Sequence, residues 1–222
     1  MLLKIVQAGD PILRRVARPL STEEILSADT QRLIELMRET MRDAPGVGLA
    51  APQIGESARL VVIEDRPEYV KDVPADRLAE RERSPVPFRV LANPTLTLLD
   101  EGTALFFEGC LSLSGFVALT PRALAVRVDG LDERGEAVTV TARGWYARIL
   151  QHEIDHLDGT LYVDRMLARS FMTQASFARH WQDASIAAVC ADLDISPADR
   201  VRRPGRASGG QPGSPPPGSW SG

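Results

Sequence analysis

Two histidines flank a glutamate in the segment Gln-His-Glu-Ile-Asp-His at residues 151–156. Residues four apart on a helix lie on one face and about 6 Å apart along the axis, so His152 and His156 can bind one metal ion together. Glu153 lies beside them, where a carboxylate can transfer protons without being a ligand. The spacing therefore predicts a catalytic metal site on a helix, with Glu153 as its proton acceptor.

A site with two histidines needs a third protein ligand. Tyr162 stands where the third histidine of a metzincin protease would be. The remaining histidine, His180, falls in a stretch with the apolar spacing of an amphipathic helix and is interpreted as a surface or packing residue. Cys110 lies next to a glycine, in a turn that ends a strand-like run. A lone cysteine is otherwise a small buried apolar residue, but here we predict Cys110 as the third ligand, which leaves a fourth position for water.

Small residues are concentrated in a further segment, Gly-Val-Gly-Leu-Ala-Ala-Pro-Gln-Ile-Gly at residues 46–55. Small side chains let other groups approach the backbone closely, although a simple turn after the preceding helix would have the same composition. The segment lacks the third glycine spacing of a dinucleotide-binding loop, and no strand leads into it. Its Gln53 carries a neutral amide that can donate a hydrogen bond to an oxyanion without competing for the metal.

Together the three segments resemble the peptide deformylases. That family's pattern is Gly-φ-Gly-φ-Ala-Ala-Pro-Gln, then Glu-Gly-Cys-φ-Ser, then Gln-His-Glu-φ-Asp-His-Leu-x-Gly, and the chain carries all three motifs in this order. The likeness spans roughly residues 3–168. The Gly144-Trp145 pair before the third motif and an insertion at 65–87 resemble the branch that includes mitochondrial and plant members as well as bacterial ones.

The resemblance implies a metal-dependent hydrolase that removes the formyl group from the N-terminal formylmethionine of newly synthesised polypeptides and releases formate. By the same resemblance, the backbone N–H of Leu111 joins the side chain of Gln53 in stabilising the oxyanion, while Glu153 transfers protons. Fe²⁺ is the metal that the family favours, and Zn²⁺, Ni²⁺ and Co²⁺ also suit a Cys-His-His set. Asp155 is a candidate to orient a histidine ring, although an exposed helix carboxylate would look the same in sequence.

The family's preference for a formyl group implies a narrow space next to the metal, into which a larger acyl group would not fit. The methionine side chain requires an apolar pocket, and core packing is the alternative role for the apolar residues that could form it. The candidates for substrate binding are Val47, Gly48, Gly109, Trp145 and Ile149.

Charge and cysteine content exclude several other classes of protein. The net charge of −4 argues against a primary role in binding nucleic acid. No apolar run approaches the roughly 20 residues that a membrane span requires. A disulfide between Cys110 and Cys190 would consume the proposed ligand, so we expect a reducing compartment. The first residues form too short an apolar run for a signal peptide, so a cytoplasmic protein is the expectation, and the family resemblance implies a bacterial one.

Hydrophobic periodicity predicts an α+β fold in which antiparallel sheets pack around the helix that carries the histidines. An N-terminal helix is expected to begin with a capping box at Ser21 and to end at Pro45. Strands are predicted at residues 60–63, 88–92, 95–99, 103–107, 123–128 and 137–142. Two further helices are predicted at 145–157 and 171–189.

The chain is expected to contain a catalytic domain at 1–170, a C-terminal helical extension at 171–203 and a disordered tail at 204–222, which is rich in Gly, Pro and Ser. The insertion at 65–87 is charged and interrupted by prolines, and we expect a solvated segment with a short helix. The resemblance also implies a transient contact of the C-terminal region with the ribosome, whereas solvation alone also explains its arginines. No membrane or specific nucleic-acid partner is expected, and nothing in the sequence indicates an oligomeric state.

Two other classes of protein share part of this pattern. A zincin-like peptidase would use His152, Glu153 and His156, but it would cleave internal peptide bonds and would not need Cys110. A structural metal protein or an inactive relative would close the site with a fourth protein ligand and would tolerate a change of Glu153. No such fourth ligand is evident in the sequence.

Overall fold

The structure, a computed structural model, describes residues 2–99 and 102–196, which form an α+β fold. The strands in these ranges are β1 (Gly48–Ala50), β2 (Leu60–Asp65), β3 (Val86–Leu98), β4 (Thr103–Gly109), β5 (Phe116–Ala123), β6 (Ala125–Leu131), β7 (Ala137–Arg143) and β8 (Met172–Thr173). The α-helices are α1 (Thr22–Leu26), α2 (Ala28–Asp43), α3 (Pro67–Val70), α4 (Ala75–Glu80), α5 (Gly144–Leu157), α6 (Gln174–His180) and α7 (Ile186–Asp192).

Two antiparallel sheets hold the helix with the histidines between them. Within the described residues, one sheet has the strand order β1-β2-β3-β6-β7 and the other has the order β4-β5-β8. The helix α5 packs on the five-stranded sheet, while its Gln151 side chain bonds to the N–H and the C=O of Ala123 in β5, each at 2.9 Å. The predicted arrangement of antiparallel sheets around a central helix is confirmed.

Apolar residues at helical spacing anchor α5 in the core. Leu150 and Leu157 are completely buried, and they pack in one cluster with Ile154 and with Val126 and Val128 of β6. Each fully buried leucine stabilises the fold by about 1.5–3 kcal/mol. The histidines are therefore carried by a firmly packed helix.

The N-terminal helical region begins where predicted but contains two helices. The Ser21 side chain accepts a hydrogen bond from the N–H of Glu24, and the Glu24 side chain completes the predicted capping box. The expectation of one continuous helix is wrong because Ser27 adopts an extended backbone conformation, with φ −63° and ψ 148°. Its side chain then caps α2 by accepting from the N–H of Thr30.

The small-residue segment is more than a turn. Gly48–Ala50 pairs antiparallel with Val61–Ile63, and residues 51–54 form a 3-10 helix. Three residues are too few to show strand alternation, which is why sequence periodicity did not predict β1. The strand fixes the backbone of the residues that precede Gln53.

The strand β3 is continuous, whereas two separate strands were predicted in its place. Its pairing register with β6 shifts after Ala92. At this irregularity Asn93 has a φ of 51°, and Pro94 has no N–H to donate. These two residues interrupt the sequence pattern without ending the strand.

The strand β5 was not predicted except for its last residue. All its residues after Phe116 are buried, so the strand lacks the alternation of a half-exposed strand. Pro121, which pairs with Leu105 of β4, further disguises it in the sequence. This omission matters because β5 and β4 together supply the contacts between the second sheet and α5.

The C-terminal region also differs from its prediction. A single helix at 171–189 is wrong, because the chain forms α6 and α7 with separate N-terminal caps at Thr173 and Ser185. The predicted disordered tail at 204–222 lies outside the described residues. Within the described ranges, every helix is too short or too polar to cross a membrane.

Candidate metal centre

The helix α5 presents both motif histidines on one face, as their spacing predicts. The ring centroids of His152 and His156 lie 5.0 Å apart, with the ring planes at 77°. His152 lines the cavity described below, whereas His156 is almost completely buried. The two rings can therefore act together, with one of them exposed to an incoming substrate.

A turn after β4 brings Cys110 to these rings. Its Sγ lies 3.3 Å from Nε2 of His156, and the sulfur and one nitrogen of each ring lie within 4.8 Å of one another. The N–H of Leu113 donates to the C=O of Cys110 at 2.9 Å, which closes the turn. The structure thus brings together the three residues that the sequence predicted as ligands.

The three donors suit a divalent metal ion in chemistry and spacing. Bonds of about 2.3 Å to sulfur and 2.0–2.1 Å to nitrogen put tetrahedral donors roughly 3.5 Å apart, close to the separation of Cys110 and His156. In the described part of the chain, no further histidine, cysteine or carboxylate joins these three donors as a fourth ligand. Burial lowers the pKa of His156 well below its usual range, which favours the neutral ring that metals bind.

Glu108 orients the other histidine. Its Oε2 accepts a hydrogen bond from Nδ1 of His152 at 3.0 Å, so Nε2 of that ring keeps its lone pair for a metal ion. The pKa of His152 is lowered by burial, but hydrogen bonds with Cys110 and Glu108 outweigh burial and raise it. The sequence candidate for this role, Asp155, instead accepts hydrogen bonds from Arg122 and Arg165.

Glu108 is itself held in a buried network of arginines. Arg122 donates to both of its oxygens at 2.9 Å, and Arg148 donates to Oε1 at 2.5 Å. Burial alone would raise the pKa of Glu108, but the charges of Arg122 and Arg148 and the bond from His152 outweigh it and hold that pKa well below its usual range. The carboxylate is therefore ionised and fixed before any metal binds.

We predict that Glu108→Gln weakens both the metal site and the fold. Loss of the orienting carboxylate is expected to reduce metal affinity by about 10–100-fold. Two arginines left without their buried acid are expected to lower the free energy of unfolding by about 3–5 kcal/mol. Competition with a metal chelator and urea denaturation measure the two effects, and unchanged metal affinity would contradict the orienting role.

The same variant should change the dependence of stability on pH. Because the folded-state pKa of Glu108 is depressed, its contribution is complete above the unfolded value of about 4.5 and is lost as pH falls below it. Glu108→Gln removes that titration, so its stability should decline less steeply with acidification than that of the wild type. Equal slopes in acid denaturation would contradict this expectation.

Glu153 lies beside the three donors with one oxygen unused. Its side chain is buried, and Oε2 has no hydrogen-bond partner in the described part of the chain. Burial raises its pKa to about 7, where a carboxyl group can both accept and return a proton, and a nearby cation would lower that value. A Cβ at Gly48 would lie 2.2 Å from Oε1, so only glycine leaves room for this carboxylate.

Two hydrogen-bond donors border the same site. Gln53 accepts from the N–H of Ala50 at 2.8 Å, which directs its amide nitrogen to Sγ of Cys110 at 3.5 Å and to Oγ of Ser112 at 3.4 Å. The backbone N–H of Leu111 donates to no other group of the described residues. The N–H of Leu111 is therefore unused within the described residues, and the amide of Gln53 is held next to Cys110.

A cavity of about 530 Å³ opens onto His152, Glu153 and Cys110. It is lined by all of the residues predicted to bind substrate: Val47, Gly48, Gly109, Trp145 and Ile149. Sequence reasoning missed Gln174, which also lines it. The pairing of β8 with β5 brings it there, through a backbone hydrogen bond to Gly115 of 2.8 Å, and no local motif signals that contact.

The two residues considered as further ligands in the sequence lie apart from the donor group. His180 is exposed on α6, as interpreted from its amphipathic spacing. Tyr162 is buried, with its ring centroid 6.3 Å from that of His152. Neither side chain joins the three donors.

Comparison with known proteins gives a consistent result. The family model for polypeptide deformylase matches residues 2–171. Peptide deformylase 1A, chloroplastic, of Solanum lycopersicum is 49% identical over 191 residues, which cover 86% of this chain and 67% of that protein. Peptide deformylase 1 of Streptomyces coelicolor is 49% identical over 179 residues, covering 81% and 80%. The match to a second plant relative, from Arabidopsis thaliana, covers 63% of that protein's length.

Solved structures agree with this match. The Met-Ala-Ser-bound class I type b peptide deformylase from Acinetobacter baumannii is similar with a TM-score of 0.67 and 33% identity, over 75% of this chain and 99% of that one. The peptide deformylase from Thermotoga maritima has a TM-score of 0.61 and 34% identity, with the same coverage. The resemblance drawn from the three motifs is confirmed: the chain belongs to the polypeptide deformylase family, metal-dependent hydrolases that remove the formyl group from the N-terminal methionine of newly made polypeptides.

Proposed function

We propose that this chain carries out the family's reaction at the group formed by Cys110, His152 and His156. The observation that carries the proposal is the convergence of these three donors beside a cavity lined by Cys110, His152 and Glu153, with Oε2 of Glu153 buried and without a partner among the described residues. Each of these residues has a chemical part to play in amide hydrolysis.

The three donors would hold a divalent cation, and Fe²⁺ is the proposed physiological ion because the family resemblance favours it. Zn²⁺, Ni²⁺ and Co²⁺ suit the same thiolate and imidazole donors and are expected to bind as well. When bound, such a cation would lower the pKa of a water molecule toward about 7 and would polarise a substrate carbonyl. Cys110, His152 and His156 would hold the cation, and a set of three protein ligands would leave it accessible to water and substrate.

Glu153 moves the protons of the reaction. It accepts a proton from the attacking water and then returns it to the nitrogen of the departing methionine, so it acts first as a base and then as an acid. Its contact with Gly48 limits the positions that the carboxylate can adopt. The products are formate and a polypeptide with a free amino terminus.

Gln53 and Leu111 stabilise the negative charge that develops on the carbonyl oxygen. The amide orientation of Gln53 is set before substrate arrives, because its Oε1 is already bonded to the N–H of Ala50. A donor that is fixed in this way can contribute about 2.7–4 kcal/mol to stabilisation of the transition state. The N–H of Leu111 supplies a second donor from the cysteine turn.

The cavity accounts for the choice of substrate. Val47, Trp145 and Ile149 offer an apolar surface for the methionine side chain, while Gly48 and Gly109 allow the substrate backbone to approach closely. A hydrogen on the formyl carbon needs less space beside Cys110 than the methyl group of an acetyl carbon. We therefore assign N-formylmethionyl peptides as the substrates.

We also propose a reducing, cytoplasmic setting and residues 1–170 as the catalytic unit. Neither Cys110 nor Cys190 is part of a disulfide, and a thiolate ligand persists where disulfides do not form. The family match to residues 2–171 supports the domain boundary. The proposed ribosome contact of the C-terminal region concerns residues that lie largely outside the described ranges.

The proposed function predicts formate release from formyl-Met-Ala-Ser but not from acetyl-Met-Ala-Ser. The reaction is measured under anaerobic conditions with Fe²⁺ present, because the thiolate and Fe²⁺ are both sensitive to oxidation. We expect kcat/KM for the acetylated peptide to be lower by at least ~100-fold, because the methyl group of the acetyl peptide is excluded sterically from the space beside Cys110.

The control is a longer peptide with a blocked amino terminus and no formyl group. A zincin-like peptidase would cleave this control internally, whereas the proposed enzyme would leave it intact. Equal rates on the formylated and acetylated peptides, or internal cleavage of the control, would refute the proposed function.

A further inference from the structure

The segment at 66–85, between β2 and β3, lies against a wall of the substrate cavity. The guanidinium carbons of Arg81 and Arg83 lie 5.3 and 5.1 Å from the ring centroid of Trp145, within the range of a cation–π contact. Trp145 lines the cavity, whereas neither arginine does. The prediction of a solvated segment with a short helix is confirmed for α3 and α4, in which no residue is buried, whereas Arg81 and Arg83 are partly buried.

The two arginines are held in different ways. Arg83 forms two hydrogen bonds, of 2.8 and 2.9 Å, with the completely buried carboxylate of Asp65. Arg81 forms no ion pair with any described residue, and its Nε is buried without a partner. Its other aromatic contact is with Phe106 of β4, at 5.6 Å. Arg81 thus lies between rings from the second sheet and from the metal-binding helix.

The segment is also seated closely on the start of α5. Gly144 has a φ of 56°, and a Cβ there would lie 2.4 Å from Cβ of Glu82 and 2.7 Å from the C=O of Arg81. Beside it, the Glu82 carboxylate pairs with Arg143 at 3.0 Å. The backbone of Arg81 is therefore placed relative to α5 by direct contact, independently of its own side chain.

The indole of Trp145 forms part of the cavity wall. Trp145 and Ile149 lie one helical turn apart on α5, and both line the cavity. No residue of the segment at 66–85 is among the described residues that line it. We infer that Arg81 is a positioning residue that fixes the Trp145 ring and thereby sets the selectivity for the side chain of the formylated residue. This inference rests on the proposed function, since it concerns the substrate of the same site.

Stability does not explain why a cation occupies this position. Burial lowers the pKa of Arg81, and the neighbouring charges of Arg83 and Arg77 lower it further, against an opposing effect of the Glu80 carboxylate. A partly buried cation without an acid partner costs free energy, and an apolar side chain of similar length would avoid that cost. The aromatic contacts are the compensation that the structure offers, and one of their two rings is the pocket wall.

The test compares Arg81→Met with the wild type on formyl-Met-Ala-Ser and formyl-Phe-Ala-Ser. Methionine keeps the apolar stem and removes the charge. We expect the ratio of kcat/KM for the methionine peptide to that for the phenylalanine peptide to fall by about three- to tenfold. The change should arise in KM, while kcat should alter less than about twofold. The melting temperature should be unchanged or higher. Arg81→Lys, which keeps a cation, should restore part of the ratio.

Arg66→Met is the matched control, because Arg66 lies over Tyr69 at 5.8 Å in the same segment but away from the cavity. An unchanged ratio in Arg81→Met, an equal change in Arg66→Met, or loss of folding in Arg81→Met would overturn the inference. Failure of the wild type to release formate would instead refute the proposed function, and the two failures are therefore distinguishable.

Discussion

Glu153→Gln is expected to lower kcat for formate release by about 10²–10⁴-fold while the protein still binds its metal. Glutamine has the shape of glutamate, which matters because Gly48 leaves so little room around this side chain. Its amide cannot accept the proton of the attacking water or return one to the leaving nitrogen. Steady-state formate release and metal analysis of the purified variant measure the two parts of this prediction.

Glu56→Gln is the control, since Glu56 is exposed and follows the small-residue segment outside the cavity lining. It should behave as the wild type in both measurements. If Glu153→Gln kept its metal and lost less than about threefold in kcat, proton transfer would not depend on this carboxylate.

Cys110→Ser is expected to abolish metal binding and activity together. A hydroxyl is a far poorer ligand than a thiolate for Fe²⁺, Zn²⁺, Co²⁺ or Ni²⁺. Loss of a supporting residue alone costs about 10–100-fold in metal affinity, so loss of a direct ligand should exceed that range. In the wild type, added metal should raise the melting temperature, because it binds the folded state, and in the variant this rise should disappear.

Cys190→Ser separates the ligand role from a general effect of thiol removal. Cys190 is buried in a different cluster, with Leu119 and Val189, and is expected to keep full metal affinity when replaced. Retention of metal and activity by Cys110→Ser would show that another group completes the site. The zincin-like alternative requires that outcome, because it does not use Cys110 at all.

The parts of the site that were predictable are those fixed by local geometry. The spacing of His152 and His156 sets their common face on any helix, and the structure places them so. The glycine beside Cys110 indicated a turn, and a turn is present. Such features depend on the few neighbouring residues and therefore show in the sequence.

The supporting contacts were not predictable because they depend on topology. Glu108 was visible in the cysteine motif, but only the packing of β4 and α5 on each other brings its carboxylate to His152. Asp155 was chosen because it lies next to a ligand, yet it faces Arg122 and Arg165. Sequence adjacency is thus a poor guide to which carboxylate orients a metal-binding ring.

Long-range packing also defines the pocket wall. Arg81 belongs to a charged stretch that is typical of a solvated surface. It contacts Trp145, which lies more than 60 positions later in the chain, because its segment packs against α5. The strand β5, hidden by continuous burial, contributes in the same way by carrying β8 and Gln174 to the cavity. No periodicity within either segment indicates these contacts.

The most direct test of the central claim is a titration of the metal-free wild-type protein with Fe²⁺ under anaerobic conditions, with formate release from formyl-Met-Ala-Ser as the signal. Activity should be absent at the start, rise in proportion to added metal and saturate at a single equivalent per chain. It should not rise in Cys110→Ser over the same range. Formate release by the metal-free protein, or an equal response of that variant, would contradict the assignment of Cys110, His152 and His156 as the metal site on which catalysis depends.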